Sequence, residues 1–199
     1  MAPTIKIKVA FFVGFFLCPN FFKKGIIMNN RTKIIVKQAL IATIYFVMTI
    51  TMGSLSYLSV QFRYSEILNL LAFYNPTNAI GVTIGVFLSN IGSPLGIYDL
   101  IFGTFHTAIS LYFISKAKNL IIASFFPTIF SFIIGFELSF LMGNKEAFYL
   151  MTSQVMVSEF IIMTIISVIV YKMLDKNKNF LTAIDAVYTT GEKFNRINI

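Results

Sequence analysis

Four acidic residues lie inside long apolar stretches of this sequence, namely Glu66, Asp99, Glu137 and Glu159. A charged side chain is costly in such surroundings, and an ionisable residue within a membrane segment usually marks a binding site or an ion pathway. Carboxylates accept paired N–H donors and attract cations. The four residues therefore predict a site for a small, donor-rich molecule that can carry a positive charge.

Polar and aromatic side chains accompany the acidic residues. Arg63, Gln61 and Asn90 supply a guanidinium and two amides, and aromatic residues such as Tyr64 and Tyr98 lie near the same segment ends. Aromatic faces stack on flat rings, so the pattern favours a planar ligand. The predicted substrate-binding residues are Gln61, Arg63, Glu66, Asn90, Asp99, Glu137 and Glu159.

Structural roles compete with binding at several of these positions. Arg63 and Glu66 are three residues apart and can neutralise each other on one helix face. Asp99 can cap a helix, because Asp is favoured at helix starts. Glu137 and Glu159 have no basic neighbour in the sequence, so a purely structural role is harder to assign to them.

Motifs for catalysis and for cofactor binding are missing from the sequence. It contains no GxxxxGK[ST] phosphate loop and no HExxH, and it has one His and one Cys. These counts argue against a histidine-based metal centre and a disulfide framework. We therefore predict no enzymatic activity, no catalytic residue, no metal and no cofactor. The enzymatic alternative is a membrane hydrolase that uses Glu159 and His106, although a lone histidine more often hydrogen-bonds between helices.

The composition indicates where the acidic residues must lie. Of the 199 residues, 57% are hydrophobic and 12% are charged, and the mean hydropathy is +0.80. A soluble domain carries about twice that share of charge, which excludes a nucleic-acid-binding domain here. The predicted class is an all-α integral membrane protein. Apolar segments between Gly, Pro and Asn breakers predict six transmembrane helices, at residues 34–55, 62–74, 79–91, 97–115, 120–142 and 148–173, the second and third being short for full spans.

The distribution of basic residues orients these helices. All Lys and Arg residues except Arg63 and Lys145 lie at or before the start of the first segment, at or after the end of the last one, or in the gap at 116–118. The positive-inside rule then predicts that both termini are cytoplasmic. In this orientation the four acidic residues lie in or near the outer half of the membrane.

The ends of the sequence differ from its centre. Lys6 and Lys8 precede about ten apolar residues, as in a secretory signal, but no small-x-small cleavage site follows. We divide the chain into an N-terminal extension at 1–27, with Met28 as an alternative start, a six-helix membrane domain at 28–174, and a cytoplasmic C-terminal tail at 175–199.

The first helix presents small residues at helical spacing, namely Ala39, Ala42 and Thr43. Small faces let helices approach closely in lipid. This face can pack inside the protein or dock another membrane subunit, and the sequence leaves both uses open.

A run of motifs resembles one transporter family. The motifs are Val60-Gln-Phe-Arg-Tyr-Ser-Glu-Ile-Leu-Asn-Leu-Leu, Asn75-Pro, Gly81 to Gly85, Ser89-Asn90, Gly92, Gly96, Asp99 and Phe102-Gly103-Thr104. On these residues the chain resembles the QueT family of queuosine-precursor transporters, which are substrate-binding S components of energy-coupling factor transporters. The likeness is strongest over residues 56–116 and looser in the fifth and sixth segments.

The resemblance implies a six-helix S-component bundle in the lipid bilayer of a bacterial cell membrane. It implies capture, from outside, of a 7-deazaguanine such as 7-aminomethyl-7-deazaguanine or queuine. Glu66 or Glu159 would accept the guanine-like N–H edge, another carboxylate would pair with the aminomethyl group, and Arg63 would fix Glu66 or contact the ring carbonyl. A transmembrane coupling subunit and two ATPase subunits are the implied partners, with the small face of the first helix in the contact. An S component for another vitamin-like molecule and a stand-alone carrier are the alternatives.

Overall fold

Residues 29–52, 62–141, 143 and 147–187 are described by the structure, a computed structural model. Within these ranges the chain is helical and contains no strand. The N-terminal extension at 1–27, Met28 and the predicted site residue Gln61 lie outside the described residues. The predicted all-α class is confirmed for the part that the structure describes.

The helices follow one another with short connections. In chain order they are α1 (Asn30–Thr51), a 3₁₀-helix (Tyr64–Leu70) that continues into α2 (Leu71–Tyr74), α3 (Asn78–Ile91), α4 (Ile97–Lys116), α5 (Leu120–Phe130), α6 (Phe132–Leu141), α7 (Ala147–Glu159), a π-helix (Phe160–Ser167) that continues into α8 (Val168–Leu174), and α9 (Lys178–Ala183).

Four helical stretches among the described residues are long and apolar enough to cross a bilayer. They are Asn30–Thr51, Ile97–Lys116, Leu120–Leu141 and Phe148–Leu174. They coincide with the first, fourth, fifth and sixth predicted segments to within a few residues. The second and third predicted segments, which the sequence marks as short, form the 3₁₀-helix with α2 and the 14-residue helix α3.

The bundle is apolar on the outside and encloses polar side chains as well as an apolar core. Ile35, Ile97 and Met173 are each at least 65% exposed, whereas Asn69 and Asn90 are completely buried. A soluble protein shows the reverse, because water favours polar groups at the surface. An apolar exterior fits lipid, and the buried polar groups need partners inside the protein.

Helices α1 and α3 pack at close range through two glycines. A Cβ atom added at Gly81 would lie 2.7 Å from Gln38 O, and one added at Gly85 would lie 2.7 Å from Tyr45 Cβ and 2.9 Å from Ala42 O. Neither position has room for a larger side chain. Of the small face predicted on the first helix, Ala42 is therefore buried against α3 inside this chain, at 3% exposure.

The stretch from Leu120 to Leu141 is interrupted after its proline. Pro127 lies inside α5, and the helix pauses at Ser131 before α6 begins. In a regular helix Pro127 O would accept the Ser131 N–H. Here it contacts His106 Nε2 at 3.1 Å and accepts from Ser131 Oγ at 3.1 Å, so side chains replace the missing backbone bond.

Helix α9 and the residues after it pack against the end of the bundle where α1 begins, although the sequence marks them as part of a polar tail. The buried Phe180 ring lies against Tyr74 and Tyr171, with centroid distances of 6.2 and 6.0 Å. Lys37 Nζ forms an ion pair with Asp185 Oδ2 at 2.7 Å. This segment therefore closes the bundle at that end.

Candidate functional site

Arg63 joins three parts of the chain in the interior. Its two terminal nitrogens donate to Asn90 Oδ1 on α3 and to Asp99 Oδ2 on α4, both at 3.0 Å. Asn90 Nδ2 in turn donates to the backbone oxygen of Asp99 at 3.0 Å. Arg63 is 4% exposed and Asp99 is fully buried, so this is an interior ion pair with hydrogen bonds on both sides.

These contacts differ from two structural roles that the sequence allowed, an Arg63–Glu66 pair and helix capping by Asp99. Arg63 precedes the 3₁₀-helix in extended conformation (φ −103°, ψ 94°), so it does not share a helix face with Glu66, and its ion pair is with Asp99. Asp99 is the third residue of α4, whose N-cap position is Gly96 without a side-chain cap bond. The Asp99 carboxylate binds Arg63 instead of capping the helix.

Gly103 makes room for this pair of side chains. A Cβ atom added there would lie 2.7 Å from Asn90 Nδ2 and 2.9 Å from Asp99 Oδ1. Only a residue without a side chain lets Asn90 and Asp99 meet at this point of α4.

Glu66 and Asn69 stand on one face of the 3₁₀-helix, because residues three apart are eclipsed in this geometry. Tyr45 OH donates to Glu66 Oε1 at 2.6 Å, and Asn69 Nδ2 donates to Glu66 Oε2. Both oxygens of Glu66 thus have a protein donor. A carboxylate has about four lone-pair positions, so each oxygen can accept one more bond.

Glu159 and Glu137 complete the cluster from α7 and α6. Glu159 is 5% exposed and interacts electrostatically with Glu66 and Arg63, while Glu137 is fully buried and interacts with Asp99 and Arg63. Glu159 is also the last residue before the π-helix. Such helix irregularities are often found at functional sites.

Several buried oxygens in this region accept no hydrogen bond from any described residue. They are Asn69 Oδ1, Asp99 Oδ1, Glu137 Oε1 and Oε2, and Glu159 Oε2. A buried polar group without a partner costs about 1–3 kcal/mol. A concentration of such acceptors favours a guest that brings N–H donors.

The charges in the cluster are unequal. Among the described residues, the guanidinium of Arg63 is grouped with four carboxyl groups, those of Glu66, Asp99, Glu137 and Glu159. An excess of buried carboxyl groups suits a cationic ligand better than an anionic one. The structure thus brings six of the seven predicted substrate-binding residues together, the seventh being Gln61.

Sequence reasoning missed Tyr45 and Asn69. Asn69 is an amide inside the apolar run that follows Glu66, and its three-residue spacing was the available signal. Tyr45 carries no such signal, since its contact with Glu66 depends on how α1 packs. His106 Nε2 on α4 lies 3.1 Å from Pro127 O on α5. The histidine thus makes a hydrogen bond between two helices.

The remaining residues of the small face of α1 point outward. Ala39 and Thr43 are exposed, and Thr43 Oγ1 donates to Ala39 O at 2.8 Å, which satisfies the hydroxyl within the helix. The two positions thus leave small side chains exposed on the surface of α1.

Comparison with known proteins decides the family. The family model described as QueT transporter matches residues 35–176, which is most of the chain and includes every member of the acidic cluster. This chain belongs to the QueT transporter family. The resemblance predicted from the motifs is confirmed, and the apolar helices are those of a multi-pass membrane protein of this family.

One curated QueT relative adds detail. The protein named Queuosine precursor transporter QueT, from Lactococcus lactis subsp. cremoris (strain MG1363), is 40% identical over 85 residues. The aligned part covers 42% of this chain and spans half the length of that relative. No solved structure matches the chain.

Proposed function

We propose that this chain is the substrate-binding S component of an energy-coupling factor importer and that it captures a queuosine precursor of the 7-deazaguanine type. The observation that carries the proposal is the set of buried acceptors around Arg63 that accept no bond from a described residue. Membership of a transporter family and the name of the Lactococcus relative support the same function.

The chemistry of the ligand fits the cluster. A 7-deazaguanine has a guanine-like edge with adjacent N–H donors, and Glu66, Asn69 Oδ1 and Glu159 Oε2 are acceptors for such an edge. The Arg63 guanidinium is occupied by Asp99 and Asn90. In the proposal its role is therefore to hold these two side chains in position and to offset part of the negative charge.

The proposed arrangement in the membrane has six helices and two cytoplasmic termini. The two short helical segments, the 3₁₀-helix with α2 and α3, serve as the second and third spans, and the site opens toward the outside of a bacterial cell. The basic residues at the chain ends and at 116–118 support this orientation.

The proposed partners are a transmembrane coupling subunit and two ATPase subunits. The sequence has no phosphate loop of its own, which fits a division of labour between chains. The exposed Ala39 and Thr43 offer the coupling subunit a small face, because small residues let helices in lipid approach closely. Ala42, buried against Gly85, contributes by holding α1 in place.

The ligand proposal is tested by identifying what the protein retains. Mass spectrometry of the small molecule that co-purifies with the chain should detect a 7-deazaguanine, and calorimetric titration of the purified protein with 7-aminomethyl-7-deazaguanine should show saturable binding. Retention of an unrelated vitamin-like compound, or turnover of a substrate by the isolated chain, would contradict the proposal.

The partner proposal is tested by co-expression with the coupling subunit and the ATPases. We expect the complex to co-purify, and Thr43→Leu to abolish co-purification because the larger side chain keeps the helices apart. Thr83→Leu is the matched control, since Thr83 bonds to Ala79 O as Thr43 does to Ala39 O, both at 2.8 Å, and lies on α3. Uptake into liposomes by this chain alone would instead identify a stand-alone carrier.

A further inference from the structure

Glu137 is the one acidic side chain of the cluster with both carboxyl oxygens buried and without a hydrogen bond from any described residue, whereas in Glu159 this is the state of Oε2. It is fully buried on α6, and both Oε1 and Oε2 lack a donor there. By contrast, Glu66 accepts from Tyr45 and Asn69, and Asp99 accepts from Arg63. A fully buried carboxyl group with two unsatisfied oxygens is costly, so its position calls for a partner that the described protein does not supply.

The neighbours of Glu137 define what that partner must bring. Its electrostatic neighbours are Asp99, a second carboxyl group, and Arg63, whose terminal nitrogens are already bonded to Asp99 and Asn90. The protein therefore offers Glu137 a negative neighbour and a cation that is engaged elsewhere. A guest with its own positive charge and N–H donors would satisfy both oxygens at once.

The interactions divide the cluster into two sides, each of which is linked electrostatically to Arg63. One side contains Glu66, Asn69 and Glu159, and the other contains Asp99, Asn90 and Glu137. The first side presents acceptors from an amide and two carboxyl groups, which suit the neutral N–H edge of a ring. The second side presents an unsatisfied carboxyl group beside a completed ion pair, which suits a separate cationic group.

We propose that Glu137 binds the positively charged substituent of the ligand and thereby makes the site select a cationic 7-deazaguanine over a neutral one. This inference rests on the proposed function. It assigns recognition of the ring edge to Glu66 and Glu159 and recognition of the substituent to Glu137.

Two compounds with the same ring separate these roles. 7-Aminomethyl-7-deazaguanine carries an ammonium group, and 7-cyano-7-deazaguanine is neutral with an identical guanine-like edge. Calorimetric titration of the purified full chain should give an affinity for the aminomethyl compound roughly 10- to 150-fold higher, which is the range of a hydrogen bond to a charged group. Equal affinities would overturn the inference while leaving the proposed function intact. Failure of both compounds to bind would overturn the proposed function itself.

Single variants then locate the selectivity. Glu137→Gln should lower the affinity for the aminomethyl compound by roughly 10- to 150-fold and leave that for the cyano compound within about threefold. Glu159→Gln should lower the affinity for both compounds to the same extent, because they share the ring edge. Asp175→Asn, which removes a carboxylate at the far end of the last long helix, is the control and should change neither affinity.

Other outcomes decide against Glu137. If Glu137→Gln lowers the affinity for both compounds equally, the role of Glu137 is structural. If Glu159→Gln lowers only the affinity for the aminomethyl compound, the cationic group binds on the side of the cluster that contains Glu159. If Glu137→Gln does not yield folded protein, Glu137→Asp keeps the charge but withdraws it by one methylene. That variant must still lower the affinity for the aminomethyl compound more than the affinity for the cyano compound, or the inference fails.

Discussion

Arg63 shows how a single residue organises the site. Its guanidinium bridges Asn90 and Asp99 from two different helices, and this leaves the carboxyl groups of Glu137 and Glu159 with unbonded oxygens. The acidic cluster is thus neither a fully satisfied network nor an apolar core. Such incompletely satisfied polar groups are expected at binding sites, where the ligand completes the bonding.

Arg63→Lys should destabilise the protein by about 1–3 kcal/mol, because a lysine ammonium cannot bridge two acceptors as a planar fork does and one buried acceptor loses its donor. Ligand affinity should fall in the same variant. Thermal unfolding in detergent and titration with 7-aminomethyl-7-deazaguanine measure the two effects. Arg31→Lys, at the exposed start of α1, is the control, and an equal melting temperature for both variants would contradict this role.

At the scale of helices, close packing of α1 on α3 positions Tyr45 and hence Glu66. The contact depends on Gly81 and Gly85, whose missing side chains let the two backbones approach. The 3₁₀-helix then places Glu66 and Asn69 on one face, and the π-helix begins directly after Glu159.

Gly85→Ala tests this packing. The added methyl group would lie 2.7 Å from Tyr45 Cβ and 2.9 Å from the backbone of Ala42, so α1 must move away from α3. We expect a loss of about 1–3 kcal/mol in stability and a weaker ligand affinity, because Tyr45 moves from Glu66. Gly92→Ala, where the nearest atom is 3.8 Å away, should behave like the wild type, and equal behaviour of both variants would argue against close α1–α3 packing.

The sequence predicted the helices better than their irregularities. Long apolar runs and breakers such as Asn75-Pro identify α1 and the long helices because lipid imposes a length and a composition on each span. The 3₁₀-helix and the π-helix, in contrast, depend on packing between helices. The partner of Arg63 is 36 residues away, so local spacing suggested Glu66 instead of Asp99. Docking of α9 through Phe180 is likewise a tertiary contact within a segment of polar composition.

For the molecule as a whole, the proposed six-helix arrangement requires that the two ends of α4 face opposite sides of the membrane. Pro94 precedes α4, Lys118 follows it, and Asn179 belongs to α9, and all three are exposed. In the proposed orientation Pro94 is outside and the other two positions are inside.

Single cysteines at these positions, in a Cys18→Ser background, test the orientation in intact cells. A membrane-impermeant maleimide should label Pro94→Cys from outside and should label Lys118→Cys and Asn179→Cys only after the cells are opened. Labelling of Lys118→Cys in intact cells would mean that the proposed orientation is wrong.

In the proposed function, the buried acidic cluster forms one site for one flat, donor-rich ligand. Titration of the purified chain with 7-aminomethyl-7-deazaguanine, in the wild type and in Glu66→Gln and Glu159→Gln, measures it most directly. We predict saturable binding by the wild type and a loss of roughly 10- to 150-fold in each variant, since each removes a charged acceptor from the ring edge. Unchanged affinity in both variants would contradict the account.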